Sequence, residues 1–331
     1  MASRIKTALM TSTVAAIVAI SVGTSSRAAE TSNNLAIGAI YLDTQGYYAG
    51  VRKGIEDEAT ARGKNLSIIE TNAQGDISKE SSFIDRITAA KVDAIILSAV
   101  STDGSVRAIR TANQAGIPII CYNTCVNADA ISKYVYAYVV GDPIEFGAKI
   151  GDAAGDYFKA AGIAEPKIGV INCEAFEVCV ARRKGFEQAL KAKVPGAKIV
   201  VNQEGTILDK AISVGEQMLS ANPDLNAFFG ESGGATLGAV KAVRNRNMVG
   251  KTVVFGGDMT SDIALELKSN EVLKGVVDIS GLAVGKVALD YAMKAIANDK
   301  LASSTVPASV DLYKSSAEAQ GWLTAHSDGI P

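Results

Sequence analysis

Gly230-Glu231-Ser232-Gly233-Gly234 satisfies the G-x-S-x-G pattern that presents a nucleophilic serine between a strand and a helix, and Asp258 and His326 follow in the chain order of an α/β-hydrolase triad. His326 is the only histidine, so every Ser/His or Cys/His mechanism rests on it. It stands in a closing Ser/Asp/Gly segment, a poor platform for a general base. Several carboxylates pose a second chemistry, because paired acids hydrolyse glycosides. Acting only as hydroxyl acceptors asks less of them. The sequence contains no G-x-x-x-x-G-K-[ST], no G-x-G-x-x-G after its first strand and no histidine cluster for a metal. We therefore expect no catalytic residue, no cofactor and no metal, with a secreted serine hydrolase using Ser232, Asp258 and His326 as the alternative.

The four cysteines form two close pairs, Cys121/Cys125 and Cys173/Cys179. Local disulfides are the expectation in an oxidising compartment, although three connectivities are formally open. Zinc is the competing use of four thiolates, but neither spacing is the C-x-x-C usual for structural zinc. Export is indicated independently. Arg4 and Lys6 precede a small, apolar run over residues 8–22, and Ser26-Arg27-Ala28 offers a signal-peptidase site, so residues 1–28 are expected to be a cleaved secretory signal. No cysteine lies near the cleavage site to carry a lipid. Loss of Arg4, Lys6 and Arg27 lowers the formal net charge from −2 by three, to −5. That balance gives no reason to expect nucleic acid or an anionic membrane as partner.

The candidate groups need elements to hold them. Residues 35–42 are an apolar run of strand length, suited to a parallel strand buried on both faces. Tyr48, Val51, Ile55 and Ala59 then share one face of a helix that Gly63 stops. Between them, Asp43-Thr44-Gln45-Gly46-Tyr47 lies at a strand's carboxyl end, where open α/β sheets bind ligands. The alternation continues with strands expected at 66–70, 94–99, 117–121 and 134–140, and helices at 77–89 and 106–115. Gly141-Asp142-Pro143 marks a restart. Helices at 144–161, 178–191, 210–221, 235–245 and 262–269 then separate strands at 167–172, 198–202, 227–230, 252–257 and 275–279. Such alternation implies parallel sheets with right-handed crossovers. A last helix at 282–297 is expected to return to the first lobe and a last strand at 306–313 to the second, giving three crossings between lobes. The expected domains are 32–140 plus 281–305 and 141–280 plus 306–331.

The order of these elements, the opening loop ending in Tyr47-Tyr48, Gly-Ile-Pro-Ile-Ile at 116–120, Arg182-Arg183-Lys184-Gly185-Phe186 at a helix start and Phe255-Gly256-Gly257-Asp258 at a strand end resemble the periplasmic sugar-binding proteins of ABC importers, the ribose-binding type most closely. The resemblance covers nearly the whole mature chain. It implies the type I periplasmic binding protein fold: α/β, with two Rossmann-like lobes of parallel sheet joined by a three-strand hinge. It also implies a periplasmic monomer that captures a small sugar or polyol in the interlobe cleft and delivers it to a membrane permease, with a chemoreceptor as a further partner. A receptor for a small signalling molecule would share this fold.

Carried over residue by residue, Tyr47 and Tyr48 take the place of aromatics against the sugar ring, whose CH face an aromatic can cover. Gln45 holds an amide position of the first loop, with Asp43 beside it as a ligand or a turn cap. Arg182 matches an arginine whose fork reaches two oxygens, and Asp258 an acceptor for two hydroxyls. Departures bear on specificity. Asn123 and Thr124 stand where ribose binders have an aspartate and an arginine, Ser232 replaces an asparagine and follows Glu231, and Asp278 lies near a usual amide position. Ser98, near the end of the third expected strand, completes the expected ligand set. The cysteine loops are expected to border the cleft. Another small sugar or a polyol is therefore expected instead of ribose.

Overall fold

Apolar runs bounded by turn residues become the buried central strands of two sheets, while the edge strands are more polar and partly exposed. In the first sheet β1 (Leu35–Tyr41) pairs with β2 (Leu66–Asn72) and β3 (Ala94–Leu97), and β4 (Ile119–Tyr122), β5 (Ala137–Gly141) and β11 (Thr305–Ala308) extend it in the order β11-β5-β4-β3-β1-β2. The second sheet contains β6 (Lys167–Asn172), β7 (Lys198–Glu204), β8 (Ala227–Gly230), β9 (Val253–Gly257), β10 (Leu273–Asp278) and β12 (Asp311–Tyr313), in the order β12-β10-β9-β8-β6-β7. Only its edge strand, β12, runs antiparallel among the described residues. The computed structural model describes residues 1–2, 34–63 and 65–331; the expected signal segment at 1–28 lies outside the described residues but for its first two.

Crossover helices cover the first sheet: α1 (Gly46–Arg62), α2 (Ile77–Ala89), α3 (Val106–Gln114) and the short α4 (Ala128–Tyr134). The second sheet is covered by α5 (Pro143–Ala160), α6 (Glu177–Lys193), α7 (Leu208–Ala221), α8 (Gly233–Asn245) and α9 (Ser261–Ser269), while α10 (Gly281–Ile296) returns to α1 and α11 (Ser316–Ala325) packs on α9. Local chemistry sets several starts. Asp76, Asn127, Asp142, Thr260 and Ser280 each accept a backbone N–H from the first turn of the helix they precede, satisfying donors that have no partner within the helix.

Two expectations change. The strand expected at 134–140 starts at Ala137, because Asn127 caps α4 in front of it. The strand expected at 306–313 is two. β11 pairs in parallel with β5 of the first sheet, so residues 306–308 sit with the first lobe and not the second, and only Asp311–Tyr313 joins β10. The reason is topological: α10 lies on the first sheet, and the strand leaving it completes a crossover there before the chain moves on. Pro307 is tolerated because β11 is an edge strand.

Each lobe also contains one helix pair in near backbone contact. A Cβ added at Gly54 of α1 would lie 2.2 Å from the Leu282 carbonyl oxygen of α10, and one at Gly147 of α5 would lie 1.8 Å from the Arg182 carbonyl oxygen of α6. No other residue fits at either position without moving a backbone. The chain crosses between sheets after β5, after β10 and after β11. At the first crossing Gly141 packs against Ile279 of the second and Val310 of the third.

Candidate functional site

The carboxyl ends of both sheets face one cavity of about 150 Å³. From the first lobe, the turn after β1 brings Leu42 to the wall, and the first turn of α1 brings Tyr47 and Tyr48, whose rings meet edge to face at 5.4 Å. Asn123 follows β4 in the left-handed conformation, φ 55°, which asparagine tolerates better than most residues. Its Nδ2 donates to Tyr48 Oη at 2.9 Å, and Tyr138 Oη donates to its carbonyl at 2.7 Å. Burial pushes the Tyr48 phenol up to about 12 and that of Tyr47 well above its ordinary value, so both rings are uncharged near neutral pH.

From the second lobe comes the charge. Arg182 stands in the second turn of α6, 7% exposed, with its guanidinium 3.9 Å above the Phe146 ring. Its Nη1 donates to the Glu231 carbonyl at 2.8 Å and lies 3.5 Å from Asp258 Oδ1. Asp258 follows β9, also left-handed at φ 62°. Its Oδ2 accepts from the Gly233 N–H at 3.1 Å, at the start of α8, where helix geometry favours a carboxylate. Ser232 lines the same wall and caps α8 by accepting from the Ala235 N–H.

The expected ligand set divides. Tyr47, Tyr48, Asn123, Arg182, Ser232 and Asp258 all line the cavity. Asp43 and Gln45 do not. Both are exposed, and Asp43 accepts the Thr44 N–H as a turn cap, the alternative left open by its position. Ser98 is fully buried one layer behind, its Oγ 2.6 Å from Thr124 Oγ1. Glu231 and Asp278 are buried too, and each holds a backbone N–H, that of Cys173 at 3.1 Å and that of Met259 at 3.0 Å. Burial pushes the Glu231 carboxyl up to about 8. Asp278 is pushed up to about 7 by burial and then by the charges of Asp258 and Asp311. By fixing Met259, Asp278 supports the strained backbone of Asp258 beside it.

Both cysteine pairs are disulfides, Cys121–Cys125 and Cys173–Cys179, with Cα separations of 5.6 and 5.5 Å. That use of the sulfurs precludes a four-thiolate zinc site. Cys173 and Cys179 line the cavity, together with Phe176 and Val178 of the loop they close, and with Thr124, Thr206 and Ile279. Of these additions, Val178 carried a signal: it occupies the same place in α6 that Tyr47 occupies in α1. Thr206, after β7, and Ile279, at a crossing, carried none. The hydrolase alternative is not assembled. His326 ends α11, stacked on Trp322 at 4.3 Å with Nδ1 2.7 Å from the Ile330 carbonyl, and it does not line the cavity.

Residues 37–300 match the model of the periplasmic binding protein domain. The chain is 60% identical over 305 residues to the ABC transporter periplasmic-binding protein YphF of Escherichia coli strain K12, covering 92% of this chain and 93% of that protein. It is 28% identical over 253 residues to the ribose import binding protein RbsB of Bacillus subtilis, covering 74% and 76%. Its fold matches an ABC transporter periplasmic solute-binding protein from Actinobacillus succinogenes, solved with bound D-allose, at a TM-score of 0.79 and 22% identity, covering 87% of this chain and 99% of that one. With residues 37–300 matched, and a relative this similar over nearly its full length, the chain belongs to the periplasmic binding protein family.

Proposed function

We propose that the protein captures a small sugar or polyol between its lobes, closes around it and delivers it to the permease of an ABC transporter. One observation carries this: Asp258 and Arg182 of the second lobe face Tyr47, Tyr48 and Asn123 of the first across a single cavity. The aromatic side suits the CH face of a sugar ring, and the carboxylate and guanidinium suit adjacent hydroxyls. A ligand touching both walls stabilises the closed arrangement by its differential affinity for it. Residues 34–140 with 281–308 move as one body, and 141–280 with 311–331 as the other. Gly141, Ile279 and Val310 form the packed hinge between them. The protein is exported to the periplasm with loss of residues 1–28. The ribose import protein and the D-allose complex among its relatives support the ligand class. Small-angle X-ray scattering tests the mechanism: the radius of gyration falls when a binding sugar is added. A sugar that binds without any compaction contradicts closure.

A further inference from the structure

We infer that the ligand is a deoxy sugar, one that presents a pair of hydroxyls to Asp258 and Arg182 and an apolar, deoxygenated edge to the disulfide wall. This rests on the sugar-capture function proposed above and narrows it. Few polar atoms on the second lobe's side of the cavity are still free to meet a ligand. Thr124 Oγ1 donates to the Ala99 carbonyl at 2.8 Å and is paired with Ser98. Ser232 Oγ donates to the Thr206 carbonyl and accepts from the Ala235 N–H, both at 3.3 Å. Thr206 Oγ1 donates to Glu204 Oε1 at 2.9 Å. The three Ser/Thr hydroxyls on the wall are therefore committed to the protein, while on the first lobe the Tyr48 phenol, which accepts from Asn123, keeps its hydrogen and the Tyr47 phenol has no partner among the described residues. Asn123 gives one amide hydrogen to Tyr48 and keeps the other together with its side-chain carbonyl. The charged groups left to meet a ligand are both on the second lobe, the Asp258 carboxylate and the part of the Arg182 guanidinium not spent on the Glu231 carbonyl; Arg182 Nε is buried with no partner among the described residues.

Those groups cluster on one side. On the lobe-two wall beside them the Cys173–Cys179 disulfide, Phe176 and Val178 offer a ligand no side-chain N–H or O–H. A fully hydroxylated hexose would bury at least one hydroxyl against this surface without a partner, and an unpaired buried hydroxyl is disfavoured. A methyl or methylene in the same place is favoured. Rejection by an apolar wall of an analogue that differs only by a hydroxyl is on the order of tenfold to a hundredfold.

The test is titration calorimetry of the purified protein with matched pairs: D-fucose against D-galactose, L-rhamnose against L-mannose and D-quinovose against D-glucose. At least one deoxy sugar is expected to bind, and to bind about tenfold or more tighter than its parent. The near-isosteric Val178→Thr, which adds a hydroxyl to the apolar wall, should shrink that ratio while leaving the melting temperature close to wild type. A parent that binds as tightly as its deoxy partner overturns the inference and leaves sugar capture standing. So does an unchanged ratio in Val178→Thr. Tight binding of other sugars or polyols with silence in all three deoxy members likewise overturns it alone, whereas silence across every sugar and polyol removes the proposed function as well.

Discussion

The first lobe offers the cavity neutral aromatic surface and an amide, and the second offers a buried arginine and a carboxylate, although both sets stand on the same strand order. The correspondence extends to single residues. Val51-Arg52-Lys53-Gly54-Ile55 of α1 and Arg182-Arg183-Lys184-Gly185-Phe186 of α6 occupy the same turn of their helices. Tyr48 on one side corresponds to Cys179 on the other, Val51 to Arg182, and Asn123 to Asp258, the last two at the same left-handed bend after the fourth strand of each sheet in chain order. A shared framework thus fixes where side chains point, and substitution at matched positions divides the labour. In the function proposed above, the first lobe covers the ring and the second selects the hydroxyls.

Breaking the charged side should have the largest effect. Asp258→Ala leaves Arg182 buried without its carboxylate and is expected to weaken sugar binding more than a hundredfold, while Asn123→Ala on the opposite wall costs about tenfold, both read by calorimetry. Equal losses from the two would end the division proposed here. The helix pairs sharpen the comparison next. Gly54→Ala and Gly147→Ala should each lower stability by about 2–3 kcal/mol in urea denaturation, because a methyl meets a backbone carbonyl in both. Only Gly147→Ala should also weaken binding, since the carbonyl it displaces belongs to Arg182.

A smaller effect follows from the buried acid behind the second lobe's wall. Glu231 is raised from 4.5 to about 8, chiefly by burial, with Glu174 adding to the rise and Arg183 and Arg182 opposing it. The native state therefore holds this proton more tightly than the unfolded chain. Its contribution to stability is fully present below about pH 4.5 and is lost as pH rises toward 8, by about 1.4 kcal/mol per unit at most. Unfolding free energies measured from pH 5 to pH 8 should fall in the wild type and fall less in Glu231→Gln. Glu80, the first lobe's fully buried carboxyl, is also raised by burial but is opposed by two hydrogen bonds, from Ser105 and Val100, where Glu231 has only that of the Cys173 N–H, so Glu80→Gln should flatten the profile less. The mildest contrast concerns the disulfides. Replacing either cysteine pair with serines should cost about 2 kcal/mol of stability. Loss of Cys173–Cys179 alone should also lower ligand affinity several-fold, because Cys121–Cys125 does not line the cavity.

The fold was legible because its central strands are continuous apolar runs and many of its helices carry side-chain caps. The failures lie where tertiary context decides. Nothing local distinguishes a strand of the second sheet from Thr305–Ala308, whose place depends on where α10 packs. The site was legible to the resolution of a strand end and no finer. Glu231 and Ser232 are neighbours after β8, yet one turns beneath the wall to hold Cys173 and the other lines the cavity. Successive side chains at a strand end face opposite ways, so a register uncertain by one residue inverts the choice. Asp278 was misplaced for the same reason. Val178 was passed over because an apolar residue near a cleft reads as packing unless the matched position in the other lobe, here Tyr47, is set beside it, and Phe176, matched by the exposed Gln45, offered no such signal.

The central claim is that one cavity between the lobes holds the sugar and that Asp258 is its principal acceptor. Thermal melting of the wild type and of Asp258→Ala against a panel of pentoses, hexoses, deoxy sugars and polyols tests it directly. At a ligand concentration about 100 times the dissociation constant, a binding sugar should stabilise the wild type by roughly 2.7 kcal/mol, a selective rise in melting temperature that disappears in Asp258→Ala while the variant still unfolds cooperatively. A rise of the same size in both proteins would contradict the account.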